Sequence, residues 1–205
     1  MKCADPYPDI IFRWSKFPLA RDWLLECPTC TGPVLITDVR DAYFQLNPFG
    51  VGRPGGSPMT KTRGLQVYQE TPKQTTQAWL TVEPIFSCKG IQFDEPMLCS
   101  RTTTGTRAAM LKYLEVMYGE MKLWVEDVEN CYSKLAGLVS ATDQAIHNYL
   151  YYTGQLPFAT SIRNRHGIVH TVGVEAAGIH IDHINSLLQK GFSKEDGTLC
   201  LCAKC

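Results

Sequence analysis

The stretch Thr106-Arg-Ala-Ala-Met-Leu-Lys-Tyr-Leu-Glu-Val-Met-Tyr-Gly-Glu-Met-Lys-Leu-Trp-Val-Glu126 decides the fold class of this chain. Its apolar residues recur every three or four positions, and the spacing continues to about Val139. This periodicity predicts a long helix that opens near Thr106. Val116 and Trp124 widen the apolar face beyond the narrow seam of a coiled coil. We therefore expect a core helix that packs on several sides.

A second helix is predicted shortly after the first. It begins at Thr142, whose hydroxyl suits an N-cap, and runs to Gly154, which suits a C-terminal cap. The two helices together occupy about residues 106–153. Because the connection between them is short, we expect a helical hairpin.

The N-terminal half predicts one short helix among strands and loops. Apolar residues at helical spacing from Phe17 to Glu26, with Pro18 in the first turn, predict a helix that ends before Cys27-Pro-Thr-Cys30. Alternating or β-branched runs predict strands at residues 34–37, 65–68 and 78–82. Glycine and proline make residues 47–64 rich in loops.

The C-terminal part predicts a β-hairpin. Residues 167–174 and 178–182 have strand-like sequences, with a short turn between them. Strands, then helices, then a small hairpin are typical of the α+β class rather than of regular βαβ alternation. The predicted organisation is an α+β body at residues 1–158 and a small module at residues 159–205.

The composition is that of a folded protein with no net charge. The 205 residues are 44% hydrophobic and 20% charged, and 20 basic residues balance 20 acidic ones. Any affinity for nucleic acid must therefore come from a local patch, and not from the field of the whole molecule. No stretch has the roughly 20 apolar residues of a membrane helix, and the N-terminus lacks the apolar region of a signal peptide. These features predict a cytoplasmic protein without membrane contact.

The nine cysteines predict metal binding more than a disulfide framework. Their number is odd and no secretory signal accompanies them, so we expect a reducing compartment and reduced thiols. Two Cys-x-x-Cys pairs, Cys27/Cys30 and Cys202/Cys205, have a spacing that suits zinc. The cysteines without a partner at ligand spacing, expected to be small buried or inert thiols, are Cys3, Cys88, Cys99 and Cys131.

The C-terminal stretch Asp182-His183-Ile184, followed by Leu199-Cys-Leu-Cys202-Ala-Lys-Cys205, resembles the HNH endonuclease family. The resemblance covers about an eighth of the chain and implies a ββα metal module. It implies that His183 is the general base that activates water for attack on a phosphodiester, and that Asp182 helps to hold a divalent metal such as Mg²⁺. An imidazole that titrates near neutral pH and a metal that offsets phosphate charge suit this chemistry.

Two positions depart from the family pattern. Thr198 stands where the family has its central Asn, and no residue follows Cys205 where the family has its closing His. These departures favour a degenerate module. The alternative is that Ile179, Ile181 and Ile184 form the core face of a strand and His183 is a surface histidine.

The resemblance also implies a zinc site. In zinc-containing members, a Cys-x-x-Cys before the Asp-His pair joins the one after it, which here implies Cys27, Cys30, Cys202 and Cys205 as ligands. Such a structural zinc would connect the two ends of the chain. A local site from Cys200, Cys202 and Cys205 with His180 or His183 is an alternative, and so is a chain without metal.

Two functions remain open at this stage. One is a structural or interaction protein, such as a viral or phage accessory factor, in which zinc holds a degenerate HNH-like module and the partner is nucleic acid or protein. The other is a metal-dependent HNH-type nuclease with His183 as its base.

Overall fold

The computed structural model describes residues 6–37, 42–44, 64–70, 82, 85–126, 142–163 and 169–171. After a 3₁₀ turn at Phe12–Trp14, the helices are α1 (Lys16–Glu26), α2 (Arg107–Glu126) and α3 (Thr142–Tyr152). The strands are β1 (Val34–Thr37), β2 (Ala42–Phe44), β3 (Leu65–Gln69), β4 (Leu98–Gly105), β5 (Ala159–Ile162) and β6 (Val169–Thr171). Helices and a mixed four-stranded sheet confirm the α+β class.

The main sheet is organised around β4. Its strand order is β1-β4-β3-β5, in which β4 is antiparallel to both neighbours and β3 is parallel to β5. The pairing between β3 and β4 is irregular, because Val67 lies opposite Thr103 whereas the next residue, Tyr68, lies opposite Cys99. Residues 100–102 of β4 therefore form a bulge at this point.

A second, two-stranded sheet pairs distant parts of the sequence. β2 and β6 are antiparallel, and Phe44 lies opposite Val169. Val169 and Tyr68 form a small cluster of their own, with Phe44 and Ile162 against it. The strand predicted at residues 167–174 is confirmed over Val169–Thr171. Its predicted hairpin partner, residues 178–182, lies outside the described residues.

Helix α2 is the centre of the hydrophobic core, as its sequence predicts. Its buried residues include Met110, Leu114, Met117 and Met121. Helix α1 packs on it through Phe17, whose ring lies edge-on to Tyr113 at a centroid distance of 6.4 Å. Helix α3 packs on it from another side, with Trp124 of α2 against Tyr149 of α3 at 6.3 Å. The expectation of a core helix packed on several sides is confirmed over Arg107–Glu126, and its predicted continuation to Val139 lies outside the described residues.

The predicted helix ends are confirmed at two places. Helix α1 ends at Glu26, directly before the Cys-x-x-Cys. Gly154 has a φ of 75°, the left-handed conformation that glycine adopts without strain. The N–H groups of Gly154 and Gln155 donate to the carbonyls of Tyr151 and Leu150, at 3.1 and 2.9 Å. This pair of bonds is a Schellman cap, and it satisfies two carbonyls at the end of α3.

Two other predictions meet the structure only in part. Val82 is helical and not extended, while residues 78–81 of the same predicted strand lie outside the described residues. β5 begins directly after the predicted boundary at residue 158 and pairs with β3, so the main sheet continues beyond that boundary. Within the part of the chain that the structure describes, no helix is long and apolar enough to cross a membrane.

Candidate functional site at the end of helix α1

Of the site residues predicted from the sequence, Cys27 and Cys30 lie within the described part of the chain. Asp182, His183, Cys202 and Cys205 lie outside the described residues, as do the alternative ligands Cys200 and His180. The structure therefore brings together one pair, and this pair marks the candidate site.

The pair sits on a tight turn that its own sequence favours. Pro28 disfavours helical backbone at the residue before it, and Cys27 accordingly leaves the helix with φ −107° and ψ 77°. The N–H of Cys30 donates to the carbonyl of Cys27 at 3.1 Å, which closes a four-residue turn with Pro28 in its favoured second position. The two Cα atoms are 5.4 Å apart.

The sulfurs of Cys27 and Cys30 are joined in a disulfide. The sequence predicts reduced thiols here, and the difference has a local cause: the turn places the Cα atoms within the range that a disulfide spans. Cys88 is also disulfide-bonded, unlike the inert thiol predicted for it. Cys99 is buried and not part of a disulfide, as predicted.

The turn is open to solvent on its outer side. Residues 28–32 are all exposed, and Cys27 is partly exposed. Thr29 places its hydroxyl 3.7 Å from the sulfur of Cys27. When reduced, two thiolates on such a turn are suitable zinc ligands, because both can point towards one ion on the open side. Among the described residues no group of three His, Cys, Asp or Glu side chains could hold a metal, so further ligands would have to come from the rest of the chain.

A hydrogen bond connects the end of α1, just before the cysteine turn, to the start of α2. Arg107, the first residue of α2, donates from its guanidinium to the carbonyl of Leu24 at 2.7 Å. Leu24 itself is buried. A cation at the C-terminal end of a helix satisfies an orphan carbonyl and complements the helix dipole. The cysteine turn therefore directly follows a helix end that is hydrogen-bonded to the start of α2.

A row of exposed apolar side chains leads up to the turn. Phe12 is 73% exposed, Leu19 47% and Trp23 72%. Phe12 lies in the 3₁₀ turn before α1, and Leu19 and Trp23 are four residues apart on one side of α1; we call these three exposed residues the α1 outer face. Contiguous patches of exposed apolar side chains are typical of binding surfaces. The sequence predicts helix α1 but carries apolar residues around most of its circumference, so it does not reveal which of them are exposed.

Buried polar side chains form a second notable cluster, on α3. Asp143, in the first turn of α3, accepts from the ammonium of Lys16 at 2.6 Å and lies 4.0 Å from the guanidinium of Arg101. One turn later, the Nδ1 of His147 is 2.8 Å from the hydroxyl of Tyr113. Burial lowers the pKa of His147 to about 4, although the charge of Asp143 opposes this shift. The histidine is therefore neutral at physiological pH.

Asn148 fastens α3 to the central strand. Its amide oxygen accepts from the N–H of Leu98, and its amide nitrogen donates to the carbonyl of the same residue, both at 2.9 Å. Gln144 adds a bond to that carbonyl at 3.2 Å. His147 and Asn148 are fully buried, so this cluster holds elements together and offers no surface to a ligand. This cluster could not be predicted from the sequence, because polar residues between apolar helical positions are usually solvent-exposed.

A scan against protein-family models, a search of curated proteins and a search of solved structures each found no match to this chain. The function of the candidate site is therefore inferred from its geometry alone.

Proposed function

We propose that this chain is a zinc-stapled interaction protein. In this proposal Cys27 and Cys30 bind one structural zinc ion together with Cys202 and Cys205, and the zinc fixes a degenerate HNH-like C-terminal module to the end of helix α1. The α1 outer face, beside the zinc, then contributes to a surface for nucleic acid or a protein partner.

The main support is the geometry of the cysteine turn. Two sulfur atoms, joined in a disulfide in the structure and able to bind zinc once reduced, lie on an exposed turn whose backbone is fixed by one hydrogen bond and whose helix is capped by Arg107. A site that holds two ligands in place loses less entropy when the remaining two arrive. Structural zinc couples ligand binding to folding, so the staple would stabilise the C-terminal module in its docked position.

The α1 outer face supports the interaction part of the proposal. An exposed tryptophan on α1 and an exposed phenylalanine on the preceding 3₁₀ turn offer flat apolar surface with little loss of side-chain freedom. Exposed aromatic rings suit stacking against the bases of single-stranded nucleic acid, at about 1–3 kcal/mol per stacked base.

Metal content tests the staple directly. The full chain is purified under reducing conditions and its zinc is measured by mass spectrometry, alongside Cys27→Ser, Cys205→Ser and Cys200→Ser variants. We expect about one zinc ion per chain, lost in the first two variants and retained in the third. Loss in Cys200→Ser with retention in Cys27→Ser would favour the local site. A reduced protein without zinc overturns the proposal.

Strand binding and cleavage separate the interaction function from the nuclease. The protein and its Trp23→Ala variant are each titrated into a labelled single-stranded oligonucleotide. We expect weaker binding by Trp23→Ala and no cleavage in Mg²⁺. Cleavage that disappears in His183→Ala would instead establish an HNH-type nuclease, with Asp182 as the metal ligand to examine next.

A further inference from the structure

The disulfide of the cysteine turn differs from the cross-links that hold distant parts of a fold together. It joins residues only three positions apart in the sequence, and Cys30 is exposed while Cys27 is partly exposed. A cross-link that closes so short a loop restricts the unfolded chain less than one that joins distant segments. The hydrophobic core around α2 holds the body of the protein together. The Cys27–Cys30 bond is therefore accessible to reagents and contributes little to stability.

We propose that Cys27-Pro-Thr-Cys30 is a thiol–disulfide exchange site, which accepts electrons from low-molecular-weight thiols. In this assignment Cys30 is the sulfur that an incoming thiolate attacks, and Cys27 is the leaving group. The proposal goes beyond the interaction function and requires no metal, because it rests on the bonded pair of sulfurs that the structure contains.

The surroundings of the two cysteines assign these separate roles. Cys30 is the more exposed of the two, so an incoming thiolate reaches it more readily. Thr29 places its hydroxyl 3.7 Å from the sulfur of Cys27. When the S–S bond breaks, this hydroxyl can donate a hydrogen bond to the Cys27 thiolate, and a stabilised thiolate is the better leaving group.

The end of helix α1 is compatible with a thiolate at Cys27. The C-terminal end of a helix carries partial negative charge, which disfavours an anion there. The guanidinium of Arg107, bonded to the carbonyl of Leu24 at 2.7 Å, offsets that charge. The bond from the N–H of Cys30 to the carbonyl of Cys27 involves neither side chain, so it does not depend on the disulfide. The exchange is therefore local to the turn.

The chemistry balances with two external thiols for each turn. The first thiolate attacks the sulfur of Cys30, a mixed disulfide forms there, and the Cys27–Cys30 bond breaks with its electron pair leaving on Cys27. A second thiolate attacks the external sulfur of the mixed disulfide, which releases an external disulfide and the Cys30 thiolate. The two protons lost by the external thiols are taken up by Cys27 and Cys30. Two electrons pass from the external thiols to the turn.

Trapping of the mixed disulfide tests which sulfur is attacked. Oxidised full chain is incubated with reduced glutathione and a metal chelator, alkylated while folded, and digested for peptide mapping, which separates the turn from the disulfide-bonded Cys88. We expect glutathione on Cys30, the alkyl group on Cys27 of the same chain, and no modification of Cys99, which is only 4% exposed. The reverse pattern overturns the assigned roles, and a turn that does not react overturns the site.

Reduction rates test the leaving group. Thr29→Val removes the hydroxyl but keeps the side-chain shape, and it should slow reduction of the turn roughly three- to tenfold. Thr31→Val, exposed on the same turn, is the matched control and should react at the wild-type rate. Equal rates in Thr29→Val and the wild type overturn the role of Thr29.

Two further observations separate this proposal from the others. The far-ultraviolet circular dichroism of the protein should not change on reduction, and loss of helical signal would contradict an exchange confined to the turn. Because the chelator removes zinc from every measurement, a reduced protein that binds no zinc would overturn the staple and leave the exchange site standing.

Discussion

Two pairs of aromatic residues in the first 23 positions have opposite environments. Trp14 and Phe17 are each 2% exposed, whereas Phe12 and Trp23 are 73% and 72% exposed. All four belong to the 3₁₀ turn and helix α1. Phe17 attaches this segment to α2, where its ring contacts that of Tyr113, and Trp14 belongs to the same hydrophobic core. The exposed pair contributes nothing comparable to the fold, and so is available for binding.

The difference separates stability from function in this molecule. Each buried aromatic side chain removes roughly 150–250 Å² from water and dominates the local packing energy. The exposed side chains keep most of that surface in contact with solvent and gain little. Substitutions on the two sides of helix α1 should therefore have effects that differ several-fold, even where the residue type is the same.

The largest effect is expected for Trp14→Ala. Removing a fully packed indole from the core leaves a cavity, and the free energy of unfolding should fall by about 3–5 kcal/mol. Urea denaturation followed by circular dichroism measures this change. Trp23→Ala is the matched control, with an expected change below about 0.5 kcal/mol. Equal losses in the two variants would show that the outer face is packed in solution.

A pH-dependent loss of stability is expected next, from His147. Burial lowers its pKa from the ordinary 6.5 to about 4, so between these values the unfolded chain binds a proton that the folded protein does not. Stability is therefore complete above pH 6.5 and declines as the pH falls towards 4, by about 3 kcal/mol in total. Urea midpoints at pH 7 and pH 4.5 measure the decline.

A variant isolates this contribution from the other titrating groups. The pKa of Glu120 is raised by burial, so its effect in the same pH range has the opposite sign. Asp9 and Asp22 have lowered pKa values and act below their ordinary 3.8. His147→Gln should flatten the difference between pH 7 and pH 4.5 although it lowers stability at both. If the stability difference between pH 7 and pH 4.5 is unchanged in the variant, His147 binds protons equally in the folded and unfolded states.

Asn148→Ala should cost about 2–3 kcal/mol at neutral pH. The variant leaves the N–H of Leu98 without its side-chain partner inside the protein, and a buried unsatisfied group carries the full desolvation cost. Thermal unfolding by calorimetry measures the loss. Gln92→Ala, at an exposed position, is the control and should leave the melting temperature within the experimental error. A small loss in Asn148→Ala would indicate that water replaces the amide.

The sequence predicted the elements whose apolar residues repeat regularly, but not those held by polar groups. Helices α1, α2 and α3 and strands β1 and β3 follow from apolar spacing and from Pro18 and Gly154. The central strand β4 was missed, because Ser100-Arg-Thr-Thr-Thr104 has no apolar alternation. Thr102, Thr103 and Thr104 are buried nonetheless, because β-branched threonine packs well inside a sheet.

Pairing between distant segments was also beyond the sequence. β2 joins β6 across more than a hundred residues, and β5 joins β3 in parallel, and neither pairing has a local signal. The candidate site was predictable in its cysteine spacing, which does not depend on distant contacts. The α1 outer face was not, since exposure depends on which side of α1 meets α2.

The smallest effect on stability is expected for the double variant Phe12→Ser, Trp23→Ser. Because both rings are largely in water, each substitution should change the free energy of unfolding by less than about 0.5 kcal/mol. The same variant should bind a single-stranded oligonucleotide several-fold more weakly, because stacking on two rings is lost. An unchanged free energy of unfolding together with weaker oligonucleotide binding would assign the α1 outer face to binding. A stability loss near that of Trp14→Ala would place Phe12 and Trp23 in the same packed environment as Trp14 and Phe17, and the contrast between the two aromatic pairs would not hold in solution.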